Sequence, residues 1–548
     1  MALFSFLLFT ALVAIVSYYL TGKTKATSEG YFLGGRSLTA GVIAGSLLLT
    51  NLSTEQIVGL NGQSYTEGIL VMCWETLAAI AMVITAFFLL PRYLKGGLTT
   101  VPQFLEDRYD TWTKTIASGL FLTGYVVVLL PIVLYSGALA IVSMFDLPTV
   151  MGVSQTAALW ICVWSIGIVG SIYAIFGGLK AVAVSDTINA VGLLIGGVMI
   201  TVFGLMHIGE GSVLGGLTNL YNDAPDRFNA IGNAQASVPF STIFTGMMLV
   251  QLFYWGTNQA IIQRALAATN LKEGQKGLLI AAFFKLLGPL ILVVPGMIAY
   301  YLFKDELSLA DEAYPRLVKT VLPVGLIGFF AAVLFGAILS SFNSALNSSV
   351  TLFGLDIYKE HINPEASEEK IVKYGKRFGL LLAFFSMLIA PWIAKAPEGL
   401  FGYLQEVNGC YSIPILTIIV VGYLTRFAPA IAAKIAILSG AILYFISQFL
   451  LKPYLSDKAI ANLQATGVTD PDVLSTAGKM AYPHFLHVMA ILFVLNVLIM
   501  LIIGKIAPRA EAFELKYTEQ VDITPYRYVK PIGITIILVV VLTYIVFS

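Results

Sequence analysis

Four ionisable residues, Glu55, Glu75, Asp186 and Lys285, lie within long apolar segments of the chain. A single charge at the centre of a bilayer costs roughly 2.5–3.5 kcal/mol on insertion scales, so such residues face the protein interior or a wet cavity. Lys285 follows Lys276 by about nine residues, which is roughly 14 Å along a helix and too deep for easy snorkelling. We interpret Glu75 and Lys285 as functional residues at a solute site, with Glu75 as a plausible partner of Lys285. The alternatives are snorkelling from near a helix end and a structural ion pair.

Two polar stretches interrupt segments that are long enough to cross a membrane. The first is LLLTNLSTEQIVGL at 47–60, and the second is QLFYWGTNQ at 251–259. Hydrocarbon offers no water to an interrupted backbone, so a break at this depth is tolerated only inside protein or beside a wet cavity. The two stretches therefore predict discontinuous helices, which line the substrate and ion sites of transporters.

Hydroxyl, amide and aromatic side chains lie near these breaks. Ser340 and Ser341 could hold a small hard cation together with carbonyls freed at a helix break, or they could only bond back to helix carbonyls. Tyr254 and Trp255 could stack on a sugar face, with ordinary packing as the alternative. Amides match the donors and acceptors of a polyol. The amides at apolar depth are Gln56, Asn258, Gln259 and Gln405.

The composition is that of a polytopic membrane protein. The 548 residues are 58% hydrophobic and 11% charged, whereas a soluble domain carries about 25% charged residues. The formal net charge of +1 gives no reason to expect a nucleic-acid partner. The three cysteines, Cys73, Cys162 and Cys410, lie in apolar runs and indicate neither a disulfide framework nor a metal site.

The hydropathy profile predicts an all-α protein with fourteen transmembrane helices of about 20 residues each. The predicted spans are 3–20, 38–64, 69–91, 115–145, 153–176, 180–208, 240–263, 276–303, 323–354, 375–393, 398–424, 429–450, 483–504 and 531–547. The two interrupted spans start five helices apart, which predicts inverted five-helix repeats at 38–208 and 240–428. The peripheral parts are a first helix and cytoplasmic loop at 1–37, an extracellular loop at 209–239 and three helices at 429–548.

The basic residues predict the orientation of the chain. They are concentrated in alternate loops, including those that we assign to Lys23, Lys25 and Arg264, and the positive-inside rule places these loops in the cytoplasm. Both termini are then extracytoplasmic. The apolar N-terminal segment has no basic n-region, so we interpret it as a retained span rather than a signal peptide.

Six motifs carry a resemblance to a known family. Together they are specific, and the resemblance extends over nearly the whole chain. They are GYFLGGRSL at 30–38, NLSTEQIVG at 51–59, FGGLKAV at 176–182, FYWGTNQAIIQRALAA at 253–268, ILSSFNSALNS at 338–348 and LDIYKEHI at 355–362. The chain resembles the solute:sodium symporter family, close to bacterial sodium/galactose symporters and to an enterobacterial subgroup with the same TNLSTEQ signature. The resemblance implies a leucine-transporter-like core of two inverted repeats in the bacterial inner membrane.

The resemblance also implies two binding sites. For sodium it implies the main-chain carbonyls of Leu49, Leu52 and Ala337 and the hydroxyl groups of Ser340 and Ser341. For a sugar it implies Asn51, Gln56, Glu75, Tyr254, Lys285 and Gln405. Two positions depart from the galactose symporters: Gln251 replaces an asparagine and Ala78 replaces a serine. The pocket is therefore expected to be similar to theirs but not identical.

Further residues match gates and a second ion site. Leu60, Trp74 and Phe401 match an outer gate of the family, and Tyr254 matches an inner gate. Asp186, Asn343 and Ser344 match a second sodium site of some relatives, although Asn343 replaces a serine. Asp186 could instead lie on the sodium exit route or bond within the bundle. For Glu55 we expect a hydrogen bond within the bundle that holds the break open.

We therefore predict a sodium-coupled symporter of a small neutral sugar that works as a monomer by alternating access. The alternatives are a symporter of another solute, such as a sialic acid or a polyol, and proton coupling. A solute sensor is a rival of a different class, but the chain ends just after its last span. No HExxH, GxSxG or CxxC motif supports an intramembrane enzyme.

Overall fold

The computed structural model describes residues 2–21, 28–304, 306–307, 309–395 and 400–548. Within these residues the chain is helical and contains no named strand, and a single isolated bridge pairs Leu38 with Ala268. A helix satisfies its own backbone hydrogen bonds, which is what hydrocarbon requires of a spanning segment. The all-α prediction is confirmed.

The helices vary widely in length, and many are joined by short 3-10 or π segments. The α-helices before residue 240 are Ala2–Thr21, Ser28–Phe32, Ala40–Asn51, Thr54–Glu67, Cys73–Ile84, Leu90–Lys95, Val101–Arg108, Thr111–Gly124, Leu130–Phe145, Leu147–Met151, Gln155–Ile208 and Val213–Asp223. Those after it are Gly246–Gly256, Gln259–Leu266, Leu271–Lys285, Val294–Phe303, Ala313–Val321, Val324–Leu352, Glu368–Ile389, Leu400–Leu424, Ala430–Phe445, Lys452–Ala465, Pro471–Met480, Phe485–Ile506 and Val529–Val546. The 3-10 and π segments are Gly68–Met72, Thr85–Leu89, Tyr125–Leu129, Pro225–Phe228, Phe240–Phe244, Pro289–Val293, Ala310–Glu312, Phe353–Ile362, Ala390–Lys395 and Ile446–Leu451.

In the described part of the chain, ten helices are long and apolar enough to cross a membrane. An eleventh span results if Leu271–Lys285 and Pro289–Phe303, which meet at a bend of 43°, count as one. A multi-pass membrane protein is confirmed, but the count of fourteen is not. Part of the difference arises because Ala40–Asn51 and Gly246–Gly256, halves of the interrupted helices, have only 12 and 11 residues.

Both predicted helix breaks are present. The first broken helix consists of Ala40–Asn51 and Thr54–Glu67, which are separated by Leu52 and Ser53. The second broken helix consists of Gly246–Gly256 and Gln259–Leu266. Its second half begins at Asn258, whose side chain accepts a hydrogen bond from the amide of Ala260. This cap satisfies a backbone donor that would otherwise be exposed by the break.

A glycine also separates two predicted spans within Gln155–Ile208. Gly178 has a φ of 64° and a ψ of −178°, a conformation that essentially only glycine adopts. The helix bends there, between the spans predicted at 153–176 and 180–208. The resulting segments, Gln155–Ile175 and Gly178–Ile208, are each apolar enough to cross a membrane.

One basic residue is not where we placed it. Arg264 was assigned to a loop, but it lies in Gln259–Leu266 and is fully buried. The assignment to a loop is wrong. The sequence did not reveal the burial because the residues that compensate the charge of Arg264 come from distant parts of the chain. Lys23 and Lys25 lie outside the described residues.

The core of the bundle is built around the first broken helix. The long helices Gln155–Ile208 and Val324–Leu352 pack against each other, and both contact Ala40–Asn51. Leu271–Lys285 packs on Ala40–Asn51 as well. The polar break is therefore surrounded by protein rather than by lipid.

Close packing predicts a stability effect at Gly246. A Cβ there would overlap the backbone carbonyl of Leu486, which cannot move as a side-chain tip could. Gly246→Ala should lower the free energy of unfolding by about 1–3 kcal/mol, which is typical of overpacking. Thermal unfolding of the purified protein in detergent measures this effect. Gly119→Ala is the matched control because nothing lies within 4 Å of its Cβ, and an equal loss in both variants would contradict the packing argument.

Candidate functional site

A buried ion pair joins Glu75 and Lys285. Lys285 Nζ lies 2.8 Å from Glu75 Oε1 and 2.6 Å from Oε2, and both side chains are at most 1% exposed. Gln56 Nε2 donates to Glu75 Oε1 at 2.5 Å. A Cβ at Gly288 would overlap Glu75, so the glycine allows this close approach. The expected pairing of Glu75 with Lys285 is confirmed, and it leaves the pair without net charge.

A smaller, partly open cavity of about 310 Å³ lies beside this pair. It is lined by Asn51, Gln56, Trp74, Val250, Gln251, Tyr254, Trp255, Phe401 and Gln405. The lining includes most of the residues expected to bind substrate, whereas Glu75 and Lys285 are reached through Gln56. Asn51 Oδ1 and Trp74 Nε1 are buried without a hydrogen-bond partner in the described structure. One acceptor and one donor beside the cavity thus have no protein partner in the described structure, and a hydroxyl group could pair with either.

The two residues that differ from the galactose symporters, Gln251 and Ala78, contribute differently to the site. Gln251 donates from Nε2 to the carbonyl of Trp74 at 2.8 Å, so part of its amide is used to hold the neighbouring helix. Ala78 is buried and supplies no polar atom. The cavity therefore lacks one hydroxyl group that the resemblance would have placed near it.

Two of the expected outer-gate residues are in contact. The rings of Trp74 and Phe401 pack edge to face, with centroids 5.0 Å apart. Gly59 brings the first broken helix close to Phe401, because a Cβ at Gly59 would lie 2.7 Å from that of Phe401. Leu60, the third residue, is fully buried. Apolar side chains therefore close one wall of the smaller cavity.

A larger cavity of about 530 Å³ shares part of this lining. Gln56, Tyr254, Phe401 and Gln405 border both cavities. The remaining lining residues of the larger cavity are Thr50, Glu55, Leu129, Asn258, Ala260, Ile261, Ser341, Ser344, Leu404, Asn408 and Tyr411. This cavity thus extends from the shared wall to Ser341, one of the two hydroxyl groups expected to bind sodium, and to Ser344.

Those hydroxyl groups face the end of the first half-helix. Ser341 Oγ donates to the carbonyl of Thr50 at 3.0 Å, and Thr50 Oγ1 lies 3.3 Å from both Ser340 Oγ and Ser344 Oγ. The last carbonyls of a helix lack intrahelical amide partners. Leu49, Leu52 and Ala337, whose carbonyls complete the expected set, are all buried.

This donor set fits a hard cation, because hard cations are bound by hydroxyl, carbonyl and carboxylate oxygens. Ser344 also bonds back to the carbonyl of Ser340 at 2.5 Å. Ser341 instead reaches across to the broken helix. The two serines therefore have different hydrogen-bond roles.

Arg264 is the site residue that sequence reasoning missed. Its Nε donates to Ser46 Oγ at 2.7 Å, its Nη2 donates to Ser344 Oγ, and Nη2 lies 3.7 Å from Asp186 Oδ2. Ser46 Oγ also donates to Asp186 Oδ2 at 2.6 Å. Asp186 and Ser344 are thus brought together, but by a guanidinium group. An arginine within the apolar pattern of Gln259–Leu266 was the signal that could have indicated it.

Asn343, the third residue of the possible second sodium site, does not join this cluster through its hydrogen bonds. Both polar atoms of its buried amide lack a partner in the described structure.

A family comparison agrees with this architecture. The model of the family described as the sodium:solute symporter family matches residues 31–440. The chain belongs to this family. It is therefore a membrane transporter and not an enzyme, and its coupling ion is sodium.

Individual relatives extend the similarity over the chain. The uncharacterized symporter YidK of Escherichia coli (strain K12) is 46% identical over 98% of this chain and 90% of its own length. The sodium/glucose cotransporter of Vibrio parahaemolyticus is 33% identical over 79% of this chain and 82% of its own. A solved structure of a Na+-coupled sialic acid symporter, in a substrate-bound outward-open state, has a TM-score of 0.70 at 19% identity. It covers 93% of this chain and 98% of its own length, and it shows the shared fold.

The buried ion pair predicts that removing one charge destabilises the protein more than removing both. Lys285→Met leaves Glu75 buried without its partner and should cost about 3–5 kcal/mol of unfolding free energy. The double variant Glu75→Gln, Lys285→Met removes both charges and should recover most of that loss. Unfolding measured in mixed micelles tests both expectations.

Lys276→Met is the matched control on the same helix. Lys276 pairs with Glu273 at 3.2 Å, but its side chain is 32% exposed, so its loss should cost no more than about 1 kcal/mol. A double variant less stable than Lys285→Met would contradict the assignment of the cost to an unpaired charge.

Proposed function

We propose that the protein is a symporter of a small neutral monosaccharide in the bacterial inner membrane. The observation that carries this proposal is the neutral Glu75–Lys285 pair, reached through Gln56 from a cavity lined by amides and aromatic rings. Amides can pair with sugar hydroxyl groups, and aromatic rings can cover the apolar face of the ring. The name of the Vibrio relative, a sodium/glucose cotransporter, supports a sugar as the solute.

A carboxylate-bearing solute is less well supported. An anion at membrane depth needs an unpaired cation, but Lys285 pairs with Glu75 and Arg264 lies beside Asp186. Sialic acid therefore serves as the comparison substrate in the test rather than as a second proposal.

For sodium we propose the carbonyl oxygens of Leu49, Leu52 and Ala337 with the hydroxyl groups of Ser340 and Ser341. The contact of Ser341 with Thr50 supports this proposal because it joins Val324–Leu352 to the first broken helix. Sodium bound there would hold the same two elements together. Sodium and sugar would favour one conformation and thereby strengthen each other's binding.

The membrane potential could drive uptake through this sodium ion. One elementary charge moved through 100 mV releases about 2.3 kcal/mol, which corresponds to roughly fifty-fold accumulation of a neutral solute. A sodium gradient would add to this factor.

For the remaining architecture we propose fourteen spans, with inverted repeats at 38–208 and 240–428 and both termini outside. The presence of a broken helix near the start of each repeat supports this arrangement. Trp74, Phe401 and Leu60 would form the outer gate, and Tyr254 the inner gate. We propose a monomer as the functional unit.

For the possible second sodium site at Asp186, Asn343 and Ser344, the bundle role of Asp186 is better supported. Arg264 already places a positive charge beside Asp186 and donates to Ser344. A guanidinium group and a sodium ion at the same oxygens would repel each other.

Uptake into proteoliposomes tests the proposed substrate. A panel of labelled hexoses, myo-inositol and sialic acid is compared with and without an inward sodium gradient. We expect at least one neutral hexose to accumulate only with sodium. Hexose uptake that persists without sodium, or uptake confined to sialic acid, would contradict the proposal.

Ser341→Ala tests the proposed sodium ligand. Loss of one oxygen should raise the sodium concentration for half-maximal uptake by about tenfold or more, while the purified variant remains folded. The measurement is the sodium dependence of initial hexose uptake. Ser349→Ala is the control on the same helix, since Ser349 bonds back to Ala345 at 2.8 Å and should leave sodium activation unchanged. Normal activation of Ser341→Ala would place the ion elsewhere.

A further inference from the structure

Glu55 is a buried carboxylate that the proposed sugar and sodium ligands do not use. It lies in the first turn of Thr54–Glu67, directly after the first helix break, and is 6% exposed. Its side chain lines the larger cavity, and Oε2 has no hydrogen-bond partner in the described structure. The hydrogen bond that we expected to hold the break open is therefore not made by this oxygen.

Glu55 also differs from the other carboxylates at this depth in its charge balance. Glu75 pairs with Lys285, and Asp186 lies beside Arg264. Across the described ranges, no Lys, Arg or His lies within ion-pair distance of Glu55. An isolated buried charge is strongly unfavourable, so its compensating charge must come from outside the chain. The candidates are a proton, a sodium ion and an ammonium group on the solute.

The neighbours of Glu55 distinguish among these candidates. Asn51 Oδ1 and Thr54 Oγ1 are also buried and without hydrogen-bond partners among the residues described, and the Ser53 hydroxyl group lies beside the Glu55 carboxyl group. With Glu55 Oε2, three unpartnered oxygens thus fall within the five residues from Asn51 to Glu55. A proton on Glu55 would neutralise the carboxylate and could be donated to only one of the other oxygens. A hard cation takes several oxygen ligands at once and could engage more of them.

We propose that Glu55 forms a second sodium site, beside the larger cavity and distinct from the set at Ser340 and Ser341. Oε2 of Glu55 supplies the charge, and neighbouring neutral oxygens at the break complete the coordination. Since Ser341 and Ser344 line the same cavity as Glu55, the two sites border a common space. This inference rests on the proposed sodium coupling, but it does not depend on the identity of the sugar.

Equilibrium binding of ²²Na⁺ to the purified full-length protein, without sugar, tests the site. We expect two sodium ions per chain in the unmodified protein. Glu55→Gln should lose one of them or weaken it by about tenfold or more, and Ser341→Ala should affect the other. Glu55→Asp keeps the charge and should retain two ions. Glu514→Gln is the matched control and should retain both ions. Glu514 is 76% exposed, and its ion pair with Arg426 is long, at 3.8 Å.

Thr54→Val provides a second route if Glu55→Gln does not fold. It removes only the unpartnered oxygen and keeps the shape of the side chain, so it should weaken one sodium ion several-fold. Circular dichroism and gel filtration check that each variant is folded.

Three results would overturn the proposal. The first is an unchanged sodium isotherm in Glu55→Gln or Thr54→Val. The second is hexose uptake whose dependence on pH between 6 and 8 disappears in Glu55→Gln while sodium binding is unchanged, which would assign Glu55 to a proton. The third is uptake of an amino sugar that is abolished in Glu55→Gln but not in the other variants, again with unchanged sodium binding. That result would assign Glu55 to an ammonium group on the solute. Failure of all sugars to be transported would refute the proposed function but leave the sugar-free binding result valid.

Discussion

The structure depends on one constraint: a helix that breaks at membrane depth must find partners for its freed polar groups within the protein. The first broken helix meets this constraint by packing against Val324–Leu352 and Gln155–Ile208. Ser341 bonds directly to the carbonyl of Thr50. Several polar atoms nevertheless remain without partners at this break. The same feature that forces close packing around the break thus leaves oxygens that a bound ion can use.

Charge balance follows from the same low-dielectric interior. Lys285 compensates Glu75, and Arg264 lies beside Asp186, so these two pairs need nothing from solution. Because both pairs are buried, removal of one partner would leave the other as an uncompensated charge. Because the charges within each pair compensate each other, these groups can orient an uncharged solute. Of Glu55, Glu75 and Asp186, only Glu55 has no cationic side chain within ion-pair distance in the described part of the chain, and it lines the larger cavity.

The sequence was most informative where a feature could be read locally. Both helix breaks were predicted because polar runs in apolar segments have few tolerable structures. The pairing of Glu75 with Lys285 was also predicted, since two opposite charges at similar depth are expected to meet. Arg264 was missed because its partners are distant in sequence, and a charge near the end of an apolar run resembles a loop residue. The apolar residues around it were the one local sign of its burial, and the structure adds Asp186 as its charged neighbour.

The two cavities suggest how ion and solute could affect each other. Gln56, Tyr254, Phe401 and Gln405 line both spaces, so a ligand that moves any of these side chains changes the two cavities together. Such a shared wall gives the two ligands a physical means to favour the same conformation. Gln56 has a particular position, because it borders both cavities while donating to Glu75. A change in the cavity that contains the serine hydroxyl groups can therefore reach the ion pair through a single amide.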